Sequence, residues 1–271
     1  MSGGARRTAR RAPRAVAVAC LAVLAMGGCA TGTTETAEAT PSAPSRPTAT
    51  SDGPSPRASA SPDPAARRAQ VLRDGVAFTS GDVALVALAP PGTTATPDED
   101  APADDVRWTV EPQDPADDAL VLTLAAPAGL ELDVQLDDSV VVRGAEGPVA
   151  GLVVRGGDVR RAGQVLEVRA DGRATVWLAS RTVAALAWGE REGGRSLAVT
   201  PSDWARVGGL AAHELVPVQL AAAEPDAGTA TMRGQLACHQ LGAPDKATWN
   251  LEPWRPAVDA LEMIAARCNP T

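Results

Sequence analysis

The sequence predicts a mainly β N-terminal part, an antiparallel sandwich or open barrel, followed by a small disulfide-closed α+β C-terminal part and preceded by a disordered tether. Three observations carry that prediction. Between Val76 and Trp188, short apolar runs recur at spacings of about ten residues, separated by glycine, proline or aspartate, as many short antiparallel strands require. Beyond Ser196 the pattern turns helical, and Cys238 and Cys268 bracket the last stretch. From Ala30 to Ala66 there is no Leu, Ile, Val, Phe or Trp, so nothing offsets the entropy of ordering that segment.

At the N-terminus, Arg6, Arg7, Arg10, Arg11 and Arg14 precede an apolar run, Ala15 to Met26, of secretory length and too short to span a bilayer comfortably. Met26-Gly27-Gly28-Cys29 then has the form of a lipobox, in which small residues precede a cysteine that is diacylated and becomes N-terminal. Met26 stands where Leu, Val or Ile is usual, and acylation at Cys20 instead would leave only five apolar residues before it. An ordinary secretory cut nearby is the alternative. The expected organisation is a signal peptide over 1–28, a lipid-anchored flexible linker over 29–68, a β-rich domain over 69–188 and an α+β domain over 189–271. The expected location is the cell membrane, on its extracytoplasmic face. Two acyl chains on Cys29 anchor stably there, each buried CH₂ contributing about 0.8 kcal/mol.

Loss of residues 1–28 removes five arginines and takes the formal net charge from −8 to −13. Lys246 is the only lysine, so no basic patch exists for a phosphate backbone, and nucleic acid is excluded as a partner. The same deficit disfavours attachment through a polybasic surface. With Cys29 acylated, Cys238 and Cys268 remain as a pair whose default outside the cytoplasm is a disulfide. Such a loop contributes about 3–4 kcal/mol on the chain-entropy view. A zinc site on these cysteines with His213 and His239 is the competing arrangement, but adjacent Cys238 and His239 lack ligand spacing, so no metal or other cofactor is expected.

The elements follow in order. A short helix over 66–72 stops at Asp74-Gly75, and from Val76 the period becomes two. Asp82 to Ala89 reads as a strand, and Pro90 to Asp105 as a solvated acidic loop without calcium-loop spacing. Val106 to Val110, Leu120 to Leu124, Leu130 to Asp137, Ser139 to Arg143 and Val149 to Arg155 read as further strands, the third of them half-buried by its alternation. Gln164 to Ala170 and Arg173 to Leu178, joined by Asp171-Gly172, read as a type I′ hairpin pairing Leu166 with Trp177 and Val168 with Thr175. Thr182 to Trp188 closes the β part. Ser196 to Val199 is a brief strand. Thr200-Pro201-Ser202-Asp203 then reads as a cap, a first-turn proline and an acid, opening a helix disturbed at Gly208-Gly209. His213 to Ala223 is ambiguous because Pro217 interrupts it. Thr229 to Leu241 reads as a helix ended by Gly242, and Pro256 to Arg267 as another, with Val258, Leu261, Ile264 and Cys268 on one stripe.

The densest cluster of tryptophan, charge and proline runs from Lys246 to Pro256. Together with Ser196 to Arg206, Cys238-His239 and Arg267-Cys268-Asn269-Pro270, it resembles an exported actinobacterial family catalogued as domain of unknown function number 2599, over about residues 188–270. The resemblance implies secretion and the disulfide, and brings no activity, substrate or catalytic residue. Three readings of the cluster compete. Trp249 and Trp254 are core anchors, with Arg255 paired to Glu252 and the prolines setting a rigid turn. Or the two rings form an exposed shelf for a sugar or peptide, with Asn250, Glu252, Arg255 and His239 around it. Or Glu252 is a general acid or base beside His239, with Asp203 or Asp245 as second carboxylate, in an envelope hydrolase acting on glycan or peptide. No catalytic motif supports the third. The expectation is therefore a non-catalytic envelope binding or scaffolding module whose partners are the membrane, through its anchor, and cell-wall glycan or an envelope protein.

Overall fold

The computed structural model describes residues 63–271 apart from Ala103. The expected signal peptide, Cys29 and most of the linker lie outside the described residues. The described part opens with helix α1 (Pro64–Asp74), whose N-cap Asp63 accepts from the Ala65 N–H at 3.1 Å, with proline at the first helical position.

Two antiparallel sheets then stack as a sandwich. The first has the strand order β1 (Val76–Ser80), β2 (Val83–Leu88), β5 (Ala119–Ala125), β10 (Val165–Ala170) and β9 (Asp158–Ala162). The second runs β3 (Thr93–Pro97), β4 (Asp105–Pro112), β11 (Ala174–Ala179), β8 (Gly147–Arg155), β7 (Val140–Gly144) and β6 (Glu131–Val134). Their facing side chains form one core that includes Phe78, Leu85, Leu122 and Leu166 from the first sheet and Val110, Val142, Leu152 and Leu178 from the second. Phe78 meets Trp108 edge-on across the gap, ring centroids 4.9 Å apart.

Each outer face is covered by helix. On the first sheet, Val71 and Leu72 of α1 pack over Val86, Leu88, Ala125 and Val165. Arg67 of α1 and Arg169 both meet the buried Glu167 carboxylate at 2.8 Å, so that charge has two partners. On the second sheet, Val141, Val153 and Ala179 pack against Trp204 of α2 (Asp203–Val207) and Ala211, Ala212 and Leu215 of α3 (Gly209–Ala223).

The other side of α3 supports a third sheet, β12 (Val183–Arg191), β13 (Gly194–Pro201) and β14 (Trp249–Leu251). Val216 and Leu220 join Leu197, Val199, Trp249 and Leu251 there, with Met232 and Leu236 of α4 (Ala230–Gly242) closing the cluster. The N-terminus of α3 is capped from the sandwich. Asp137 Oδ2 accepts from the Leu210 N–H at 2.8 Å, and Ser139 Oγ from the Ala211 N–H at 3.0 Å. Gly209 sits at φ +57°, and a Cβ there would stand 2.0 Å from Asp137 Oδ2, so that close approach needs glycine.

Several expectations are corrected. The Asp171-Gly172 connection is not a hairpin: neither residue has a positive φ, and β10 and β11 lie in different sheets. Leu166 pairs with Leu124 and Arg161, and Trp177 with Arg107 and Val153. The expected acidic loop contains edge strand β3, whose mostly exposed threonines give no apolar alternation to read. The alternating run to Asp137 stops at Val134, because the chain reverses through Asp138 at φ +62° and the Gln135 N–H bonds the Ser139 carbonyl. Val183–Arg191 pairs with β13 in the third sheet, not within the sandwich. Thr200 and Pro201 remain in β13, and the cap of α2 is Ser202. Pro217 lies inside α3, which its packing on two cores sustains. The last helix, α5 (Ala260–Ala265), starts at the Asp259 cap; Met263 is buried while Leu261 and Ile264 face solvent.

Candidate functional site

Strand β14 carries the Trp249 to Arg255 cluster to the edge of the third sheet. Val199, Ala198 and Leu197 of β13 pair with Trp249, Asn250 and Leu251, so alternate residues point into the core. Trp249 is fully buried, its Nε1–H donating to the Ala243 carbonyl at 3.1 Å. The loop carrying that carbonyl is held by Arg206, which donates to the carbonyls of Pro244 and Lys246 at 2.5 Å and of Ala247 at 3.2 Å.

Glu252 follows, 2% exposed, and every polar atom it presents is engaged. Oε1 accepts from Ser196 Oγ at 3.0 Å and Oε2 from Arg255 Nε at 2.9 Å. Its backbone N–H donates to Gln235 Oε1 at 2.8 Å, and its carbonyl accepts from Gln235 Nε2 at 2.9 Å. Arg255, 3% exposed, spreads its remaining donors to the Pro270 carbonyl at 3.1 Å and the Glu192 carboxylate at 2.7 Å. Burial works against its cation, but the hydrogen bonds it donates to Glu252 and Glu192 outweigh burial and hold the guanidinium above its ordinary pKa. One side chain thus ties β14, the β12–β13 turn and the C-terminal tail together.

The tail is also tied covalently. Cys238 of α4 and Cys268 form the disulfide, with Cα atoms 5.5 Å apart and both residues buried, so the sulfurs are bonded to each other and not held for a metal. Among the described residues, no group of three or more His, Cys, Asp or Glu is placed to hold a metal ion. His239, next along α4, is 3% exposed, and its Nε2 lies 3.1 Å from the Asn250 carbonyl. A carbonyl only accepts, so Nε2 carries the proton, and the buried Nδ1 has no partner. Burial pushes the imidazole below its ordinary pKa, against the pull of that carbonyl. Trp254 is 43% exposed, with the Arg255 guanidinium 4.5 Å from its ring centroid and Gly194 packed so closely that a Cβ would stand 2.3 Å from the indole.

The residues singled out from sequence are therefore brought together, but mostly inside. A two-ring shelf is not present: Trp249 is buried and, of the two rings, Trp254 alone reaches solvent, while Asn250 is partly exposed. Glu252 is paired with Arg255, as the core-anchor reading expects, and His239 faces the backbone of Asn250, not the carboxylate. Sequence reasoning missed Gln235, Ser196 and Glu192, which complete the network. Polar residues on a helix and in strands give no pattern by which a buried partner is told from a surface one.

Residues 183–271 match a family described as "Protein of unknown function (DUF2599)", and the match begins at the first residue of β12. Over 83 residues, 28% of this chain and 56% of the relative, the chain is 45% identical to an uncharacterized protein of Mycobacterium tuberculosis and, equally, to one of Mycobacterium bovis. An uncharacterized protein of Mycobacterium leprae is 48% identical over 50 residues, 17% of this chain and 41% of that relative. The match to the first two spans little more than half their length. No solved structure matches.

Proposed function

We propose that this protein is a lipoprotein held on the extracytoplasmic face of the cell membrane through Cys29, and that its folded part is a non-catalytic binding or scaffolding module of the envelope. The anchoring half rests on the arginine-rich start, the short apolar run and Met26 to Cys29. The Cys238–Cys268 bond suits an exported chain. The observation that carries the non-catalytic half is the occupancy of Glu252. A general acid or base must exchange a proton with substrate, whereas this carboxylate is enclosed with Ser196 and Arg255 on its two oxygens. That arrangement favours a brace over a catalyst.

On this reading the recognition surface centres on the exposed face of Trp254, which Arg255 and Gly194 hold in place. An immobilised indole suits the apolar face of a wall sugar or a side chain of an envelope protein. Retention on purified peptidoglycan, compared for wild type and Trp254→Ala, tests it. The expected outcome is a loss of about fivefold or more, within the range of an aromatic contact, in a variant that still unfolds in one cooperative transition. Equal retention of both removes Trp254 as the recognition surface.

A further inference from the structure

Among the described residues, Leu241, Leu261 and Ile264 are large apolar side chains left 68%, 80% and 61% exposed. Leu261 and Ile264 are three apart on α5, hence on one face, and Ile264 lines the same groove as Leu241 at the end of α4. That groove encloses about 410 Å³, within the range of small-molecule sites. The two residues of the buried Cys238–Cys268 bond line it, as do Lys246 and Arg267. Both cations are exposed, and neither takes part in an ion pair among the described residues. Neither Asp245, next to Lys246 in the chain, nor Glu262, five residues before Arg267, lines the groove.

An apolar trough with two free cations beside it, in a chain of net charge −8, is a local reversal of the molecule's character. We propose that the groove binds an anionic single-chain amphiphile, a long-chain carboxylate, with its alkyl chain over Leu241 and Ile264 and its head between Lys246 and Arg267. A monomer suits the site better than a bilayer. The acidic molecule as a whole repels an extended anionic surface, whereas a single carboxylate feels mainly the two nearby cations. The proposal is independent of Trp254 and of acylation at Cys29.

Calorimetric titration of dodecanoate, below its micellar concentration, into the full chain carrying Cys29→Ser tests it with no covalent lipid present. Saturable binding at one site is expected, weakened about tenfold or more by Ile264→Asp, which puts a charge where the chain lies. Lys246→Gln should weaken it about threefold to tenfold and reduce its salt dependence. Both side chains are solvent-exposed, so folding is spared, and Leu241→Ser gives a second check on the apolar wall. Absence of saturable binding, or binding unaltered by both apolar variants, overturns the proposal. So does attachment of phosphatidylglycerol vesicles without dodecanoate binding, which would make the occupant a bilayer.

Discussion

At His239 and Glu252 the chain places two side chains that usually signal chemistry, and uses both as fixtures. A buried pair such as Glu252–Arg255 is expensive to break, about 3–5 kcal/mol, because the survivor stays buried without its partner. His239 has a different consequence. Burial holds its folded pKa below the ordinary value, as burial also does for the half-buried His213. In the unfolded chain an imidazole takes up its proton near pH 6.5, while the folded site resists it. Below about pH 6.5 the unfolded state therefore binds more protons, so stability is present above that pH and lost on acidification. The urea midpoint should be lower at pH 5 than at pH 7. In His239→Gln, whose amide still donates to the Asn250 carbonyl, the fall should be shallower. An identical fall in both proteins would remove His239 as its cause. Asp133 acts in a more acid window: hydrogen bonding to Arg143 holds its carboxyl below the usual range, so its contribution disappears only below about pH 4.

Among the elements, the seam between β8 and α2 is the tightest. Gly151 lies on the outer face of β8, and a Cβ there would stand 2.1 Å from Cη2 of the fully buried Trp204. Gly151→Ala should cost about 1–3 kcal/mol, read as a lowered urea midpoint, because a well-packed ring must shift to admit a methyl group. A midpoint equal to wild type would mean that the seam yields freely. Much of this level was legible beforehand. The α1 stop at Asp74-Gly75 and most sandwich strands lie where period and turn residues put them, and α4 covers the expected helix but runs on through Gly242. What escaped was pairing. Asp171-Gly172 signals a turn but not whether the next strand returns to the same sheet, and the facing sheet of a sandwich offers an equally apolar destination. Likewise, the stripe of Leu261 and Ile264 has helical spacing, yet the six-residue α5 buries Met263 instead. In the cluster, the Glu252–Arg255 pair was legible because the two are three apart, whereas Gln235 and Ser196 reach Glu252 from 17 and 56 residues away.

In the molecule as a whole, the described residues make one compact unit because α3 is shared. Ala211, Ala212 and Leu215 complete a layer on the sandwich, while Val216 and Leu220 belong to the core of the third sheet. A helix apolar on two sides needs cover on both, and Gln219 reinforces the junction by accepting from Thr182 and donating to the Ser180 carbonyl, each at 2.8 Å. No helix among the described residues is long and apolar enough to cross a membrane. In the proposed function, contact with the bilayer falls to Cys29. The intact mass of the native protein, extracted from membranes without reductant, tests that account most directly. The expected mass is that of a chain beginning at Cys29 with a diacylglycerol attached and Cys238 joined to Cys268. A chain beginning elsewhere, without lipid mass and with both distal thiols free to alkylate, would contradict it.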